Sequence, residues 1–191
     1  MKLVKTPLPG VLIVEPAVYG DERGWFMETF NEPRWRRALD ELGEPQPRPF
    51  VQDNHSCSHA GVLRGLHYQL PPHAQGKLVR VVKGRAFDVA VDIRRGSAHF
   101  GQWFGVELDA VNRRQIWIPE GFAHGFLALE DDTQVLYKTT DVYAAPCEGG
   151  IRWDDPDLAI RWPSLPNGAP PRLSERDARA AALKDAVGSG V

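Results

Sequence analysis

The stretch 85–94 constrains this chain more than any other. Phe87, Val89, Val91 and Ile93 alternate there with Ala86, Asp88, Ala90 and Asp92. A period of two with β-branched residues predicts a strand in a sheet with one apolar face. Such a strand needs neighbours, and the chain offers them at 62–69, 77–83, 103–108, 114–119, 125–129 and 133–140. The 18 Gly and 16 Pro are spread along the 191 residues and cut the chain into short elements. Many short strands without interleaved helices predict an all-β sandwich or barrel, and argue against a helical bundle.

Two helices are expected at the margins. Asn31 reads as an N-cap with Pro33 in the first turn, and Trp35, Leu39 and Leu42 follow at helical spacing, so 31–42 is a short amphipathic helix. A strand over 23–30 precedes it and a Pro-rich loop, 43–49, follows. Ser174 can cap an Ala-rich helix running to Val187, with Gly188 to Val191 frayed beyond it. The length suits a single domain over 1–191.

Composition removes several functions. Lys+Arg number 23 and Asp+Glu 25, a net charge of −2, so no global field draws the chain to nucleic acid or anionic membrane. No apolar run approaches the roughly 20 residues of a membrane span, and Met1 to Lys5 is too charged for a signal peptide. Cys57 and Cys147 lack a CxxC partner and read as free thiols. The expected location is the cytoplasm. No glycine-rich dinucleotide fingerprint is present.

Among six histidines, His67 and His124 stand in strand-like, apolar surroundings. Alone, each reads most simply as a core histidine with one hydrogen bond. Their company changes that. Lys77 shares a strand face with Val79 and Val81, where an ammonium is costly unless it meets an anion or strong acceptor. Tyr137 lies on a strand between Leu136 and Lys138. Imidazole, ammonium and phenol gathered in one barrel make a proton-transfer site: one group takes a proton, one holds an oxyanion, one returns a proton. Arg64 and His67 are three residues apart, so a regular strand would send them to opposite faces. Gly65 between them predicts a bulge that turns both inward. A metal site is not expected, because the chain has no His-x-His and Gln69 occupies the position two after His67.

Five blocks carry a resemblance. They are Asp53-Asn54-His55-Ser56, the run Val62 to Gln69 (VLRGLHYQ), Gln75 to Arg80 (QGKLVR), Phe87 to Arg94 (FDVAVDIR) and Ile118 to Phe126 (IPEGFAHGF). Together they resemble the dTDP-4-dehydrorhamnose 3,5-epimerase family over a core of about 12–177. The resemblance implies a cupin-type jelly roll, a homodimer, and no metal or organic cofactor. It implies inversion of C3 and C5 of dTDP-4-dehydro-6-deoxy-D-glucose, with His67 as base, Tyr137 as acid and Lys77 beside the C4 enolate oxygen. Asp177 matches the carboxylate that orients the histidine, although Ser174-x-x-Asp177 also reads as a variant capping box; Asp88 is the alternative. Around the nucleotide sugar it places Arg23, Glu28, Gln52, Asp53, Asn54, Arg64, His124, Glu148 and Arg176, with Lys77 again, and Phe26 and Tyr143 as aromatic contacts for thymine. Arg176 stands where relatives can carry lysine. The rival readings are an epimerase acting at C3 or C5 alone, a non-catalytic cupin that binds a sugar nucleotide, and a metal-dependent cupin oxygenase, which Gln69 disfavours.

Overall fold

In the computed structural model, residues 1–186 are described. The strands are β1 (Lys2–Lys5), β2 (Leu12–Glu15), β3 (Val18–Asp21), β4 (Gly24–Met27), β5 (Gln52–Ser58), β6 (Leu63–Gln69), β7 (Lys77–Lys83), β8 (Arg85–Asp92), β9 (Trp103–Asp109), β10 (Gln115–Ile118), β11 (Phe122–Ala128), β12 (Thr133–Thr139) and β13 (Glu148–Gly150). The helices are α1 (Glu32–Leu42), α2 (Glu175–Ala178) and α3 (Leu183–Ala186). One antiparallel sheet has the order β1-β2-β10-β7-β12-β5, the other β13-β6-β11-β8-β9. They pack face to face as a cupin-type jelly roll; the strand pattern predicts the all-β sandwich and the resemblance its type.

The strand β8 departs from its expected one-sided burial. Val89, Val91 and Ile93 pack outward beneath later parts of the chain, with Leu66, Tyr68, Ile151, Leu158 and Leu183. Ala86 and Ala90 point between the sheets, against Val79, Val81, Val135, Phe122 and Phe126. The face that looks polar in sequence is therefore the interior one, and Asp88 and Asp92 are buried on it. Small alanines leave room there for a cavity; the carboxylates need partners, and find them. The outer face of the other sheet is covered by α1. Asn31 caps it by accepting from the Arg34 N–H at 3.2 Å, and Gly43 ends it with φ +71°. Trp35 and Leu39 close over Leu12, Val14, Leu78 and Trp117.

The bulge expected at Gly65 is present. His67 stands opposite His124 and Arg64 opposite Phe126, so β6 spends three steps where β11 spends two. One extra residue restores parity, and Arg64 and His67 face the same side. The backbones touch here. A Cβ on Gly65 would lie 2.5 Å from Gly125 Cα and 2.7 Å from His124 O, and Gly65 has φ +124°.

Two expectations are corrected. The strand over 23–30 shortens to β4, which pairs only with β3 as a separate hairpin. The helix expected from Ser174 is broken into α2 and α3. Ala181 between them pairs in parallel with Ile151, and Leu183 is buried. Backbone pairing and side-chain burial outweigh the helix preference of the alanines. Val187, and Gly188 to Val191 with their expected fraying, lie outside the described residues.

Gly65→Ala is expected to destabilise the protein by about 3 kcal/mol, through overpacking and an unfavourable φ. Thermal unfolding should show Tm lower by roughly 6–12 °C.

Candidate active site

Between the sheets lies a cavity of about 520 Å³. Three neighbouring strands of one sheet, β7, β12 and β5, present alternate residues to it. Lys77 lies opposite Thr139, and Thr139 opposite Gln52; Val79 lies opposite Tyr137, and Tyr137 opposite Asn54. Direct antiparallel partners share a face. The opposing sheet contributes Arg64 and His67 from β6 and His124 and Phe126 from β11, with Asp88 of β8 hydrogen-bonded to His124. The segment after the sandwich closes the cavity with Arg172, Leu173, Ser174, Arg176 and Asp177.

Each of the two histidines has its own carboxylate. Nε2 of His67 lies 2.6 Å from Asp177 Oδ1. Nε2 of His124 lies 3.1 and 3.0 Å from the two oxygens of Asp88. The choice between Asp177 and Asp88 as partner of His67 is thus decided by distance. Burial raises the Asp177 carboxyl, but the hydrogen bond and charge of His67, with the Ser174 hydroxyl and Gly65 amide, leave it below the ordinary carboxylate value. An ionised carboxylate only accepts, so the facing imidazole nitrogen donates, and the other ring nitrogen is the one left to exchange a proton. The Ser174 half of the capping box is formed as well: the Asp177 N–H donates to Ser174 Oγ at 3.1 Å. Ser174 caps the helix by accepting from the Asp177 amide, while the Asp177 side chain turns to His67.

His124 differs. Burial lowers it more than Asp88 raises it, so it is held neutral. Burial also lowers Lys77, to about 8, against the pull of Asp88 and Glu148. Lys77 Nζ reaches the His67 carbonyl at 3.5 Å. Burial pushes the Tyr137 phenol up, opposed by Arg64, so it keeps its proton at neutral pH. The cavity therefore holds an imidazole oriented by its carboxylate, an ammonium that titrates at about 8 and a retained phenol proton. Among the described residues no three or more His, Cys, Asp or Glu are grouped as metal ligands.

The remaining expected residues divide by strand parity and by element. Glu148 accepts both Arg176 amines at 2.6 Å and the Tyr143 hydroxyl at 2.8 Å, beside the cavity mouth. Gln52 and Asn54 bond to one another at 3.1 Å on the inward face of β5. Asp53 between them is not brought to the cavity: alternation sends its side chain to the outer face, onto Lys138 at 3.0 Å. Arg23, Phe26 and Glu28 do not line the cavity. Arg23 binds Asp21 on the β3–β4 hairpin, Phe26 is exposed there, and Glu28 pairs with Arg34. Sequence reading missed Ser56 and Arg172 as lining residues. Alternation from Asn54 could have found Ser56; no local signal marks Arg172, which arrives by pairing with Val62.

A cupin jelly roll with an imidazole–carboxylate pair, a buried ammonium and a phenol in one cavity defines an isomerase that works by proton transfer. Residues 5–185 match the family model described as dTDP-4-dehydrorhamnose 3,5-epimerase. The enzyme of that name from Shigella flexneri is 54% identical over 97% of this chain and 98% of its own. That from Pseudomonas aeruginosa is 53% identical over 97% and 98%. The solved dTDP-6-deoxy-D-glucose-3,5-epimerase of Legionella pneumophila, in complex with dTDP-4-keto-L-rhamnose, superposes with a TM-score of 0.87 at 49% identity, covering 96% of this chain and 93% of that one. The chain belongs to the dTDP-4-dehydrorhamnose 3,5-epimerase family.

Asp88 is the largest influence raising Lys77. In Asp88→Asn, Lys77 is expected to titrate lower than its value of about 8, as measured by NMR of the labelled lysine.

Proposed function

We propose that this enzyme inverts C3 and C5 of dTDP-4-dehydro-6-deoxy-D-glucose to give dTDP-4-dehydro-L-rhamnose, with His67 as base, Asp177 orienting it, Lys77 at the developing oxyanion and Tyr137 as acid. The observation that carries this reading is the convergence of those four side chains on one cavity. The C4 ketone acidifies the hydrogens on C3 and C5. His67 takes one of them, and the C–H electron pair moves into an enolate whose negative oxygen meets the Lys77 ammonium. That cation acts most strongly where charge develops, in a site largely withdrawn from water. Tyr137 returns a proton from the opposite face, and the centre is inverted. Once His67 has released its proton to water and Tyr137 has regained one, the same events at the second carbon complete the reaction. Substrate and product are isomers, so no electrons are gained or lost and no redox cofactor is called for.

Arg64 and Arg176 suit the diphosphate, since a guanidinium fork matches phosphate oxygens. His124, kept neutral by burial, can donate to or accept from the sugar. Gln52, Asn54, Tyr143 and Glu148 frame the approach. Arg23, Phe26 and Glu28 enter this reading through a homodimer. They lie on or beside a hairpin whose Tyr19, Trp25 and Phe26 are exposed, and an exposed aromatic ribbon is suited to cover a second copy of the chain. The reading has this dimer at work in the cytoplasm.

Incubation with the 4-keto sugar nucleotide in deuterated water is expected to place label at both C3 and C5. Label at one carbon only would make it a single-site epimerase; no label would make it a binder. His67→Ala should abolish exchange while the fold persists, whereas Tyr137→Phe should impair inversion more than proton removal.

The pH dependence has a defined sign. Lys77 acts as a cation and loses its proton near 8, so the rate should fall as pH rises through that value. In Lys77→Arg, whose guanidinium stays charged, the residual rate should lack that alkaline fall. A pH–rate profile of both proteins checks it.

A further inference from the structure

The carboxylate that faces His67 is not part of the sandwich. Asp177 sits on a strap, residues 172–183, laid over the end of the cavity. At its first end the Arg172 N–H donates to Gly61 O at 2.7 Å, and the Leu63 N–H donates to Arg172 O at 3.0 Å. At its far end the Arg152 N–H donates to Ala181 O at 2.9 Å. The helix between these ends, α2, has only four residues. One turn of helix has little stability of its own, so its position is set by its anchors.

The last anchor is Asp155. This carboxylate is 1% exposed. Its Oδ1 accepts the Asp157 N–H at 2.9 Å and the Leu158 N–H at 3.1 Å, and its Oδ2 accepts the Leu183 N–H at 2.8 Å. A carboxylate withdrawn from water must be hydrogen-bonded to be tolerated. Here two bonds close a local turn and the third crosses to the strap. An apolar side chain could fill the same volume but could not join the turn to the Leu183 amide. The Leu183 side chain then enters the apolar cluster under β8, beside Leu66 and Ile151. Ala180, just before this anchor, flanks Gly150, which stands opposite His67. Displacement of the far end therefore acts on both members of the pair.

We infer that Asp155 is a positioning residue for the epimerase reaction: it fixes the far end of the strap and so holds Asp177 at hydrogen-bond distance from His67. The inference rests on the reading of His67 and Asp177 as the catalytic pair. A contact of 2.6 Å is lost on a shift of about 1 Å.

Steady-state kinetics of Asp155→Asn, Asp177→Asn and the double variant test it. Asp155→Asn should lower kcat about tenfold with KM unchanged. Asp177→Asn should lower kcat about a hundredfold. The double variant should be no slower than Asp177→Asn, because a residue that acts only through Asp177 has nothing left to position. An unchanged kcat in Asp155→Asn, or losses that multiply in the double variant, would overturn the role of Asp155 and leave the catalytic pair standing. Full activity in Asp177→Asn would overturn the pair itself, and this inference with it. Should Asp155→Asn fail to fold, Leu183→Ala loosens the same anchor while leaving the 155–158 turn intact, and the same cycle applies with the same expected and overturning results.

Discussion

Two glycines in van der Waals contact underlie the active site. Gly65 and Gly125 meet backbone to backbone, and a Cβ on Gly65 would fall inside the contact distance of its neighbours. That closeness admits one extra residue into β6. The extra residue turns Arg64 and His67 to the same face and sets His67 opposite His124. With a regular ladder, either the guanidinium or the imidazole would face away from the cavity. The glycine is therefore a requirement of orientation as well as of space.

The electrostatics follow from what the bulge brings together. The cavity and its walls hold two imidazoles, two carboxylates and one ammonium; Lys77, Asp88, His124 and Asp177 are buried and His67 is half-buried. Burial alone would neutralise most of them. Pairing decides which keep their charge. Asp177 stays ionised because His67, Ser174 and Gly65 supply donors. His124 is neutral because burial outweighs the attraction of Asp88. Lys77 falls between these cases, since Asp88 and Glu148 offset only part of its desolvation. A cation held near neutrality suits a step in which negative charge appears and disappears on an adjacent oxygen.

Much of this was legible in the sequence, and the reason is parity. A period of two assigns each residue to a face, so Lys77 with Val79 and Val81, and the need for a bulge at Gly65, could be read directly. The same rule could have placed Asp53 on the outer face and added Ser56 to the cavity wall. Which face of β8 lies inside was not legible. Alternation separates Val89 and Val91 from Asp88 and Ala90 without saying that later parts of the chain cover the apolar side. The break at Ala181 was likewise hidden, because its cause is pairing with the distant Ile151. The hairpin residues Arg23 and Phe26 were identified by resemblance alone; nothing in their local pattern ties them to the cavity.

The strap has a consequence for how activity arises. His67 and Asp177 are 110 positions apart, and the second is made long after the strands that carry the first. During synthesis both sheets can pair while the imidazole still lacks its partner. The His67–Asp177 pair is thus completed late, by docking of a peripheral ribbon and not by collapse of the sandwich. A protease cut within that ribbon would release Asp177 from His67 while the strands that carry the imidazole stay paired.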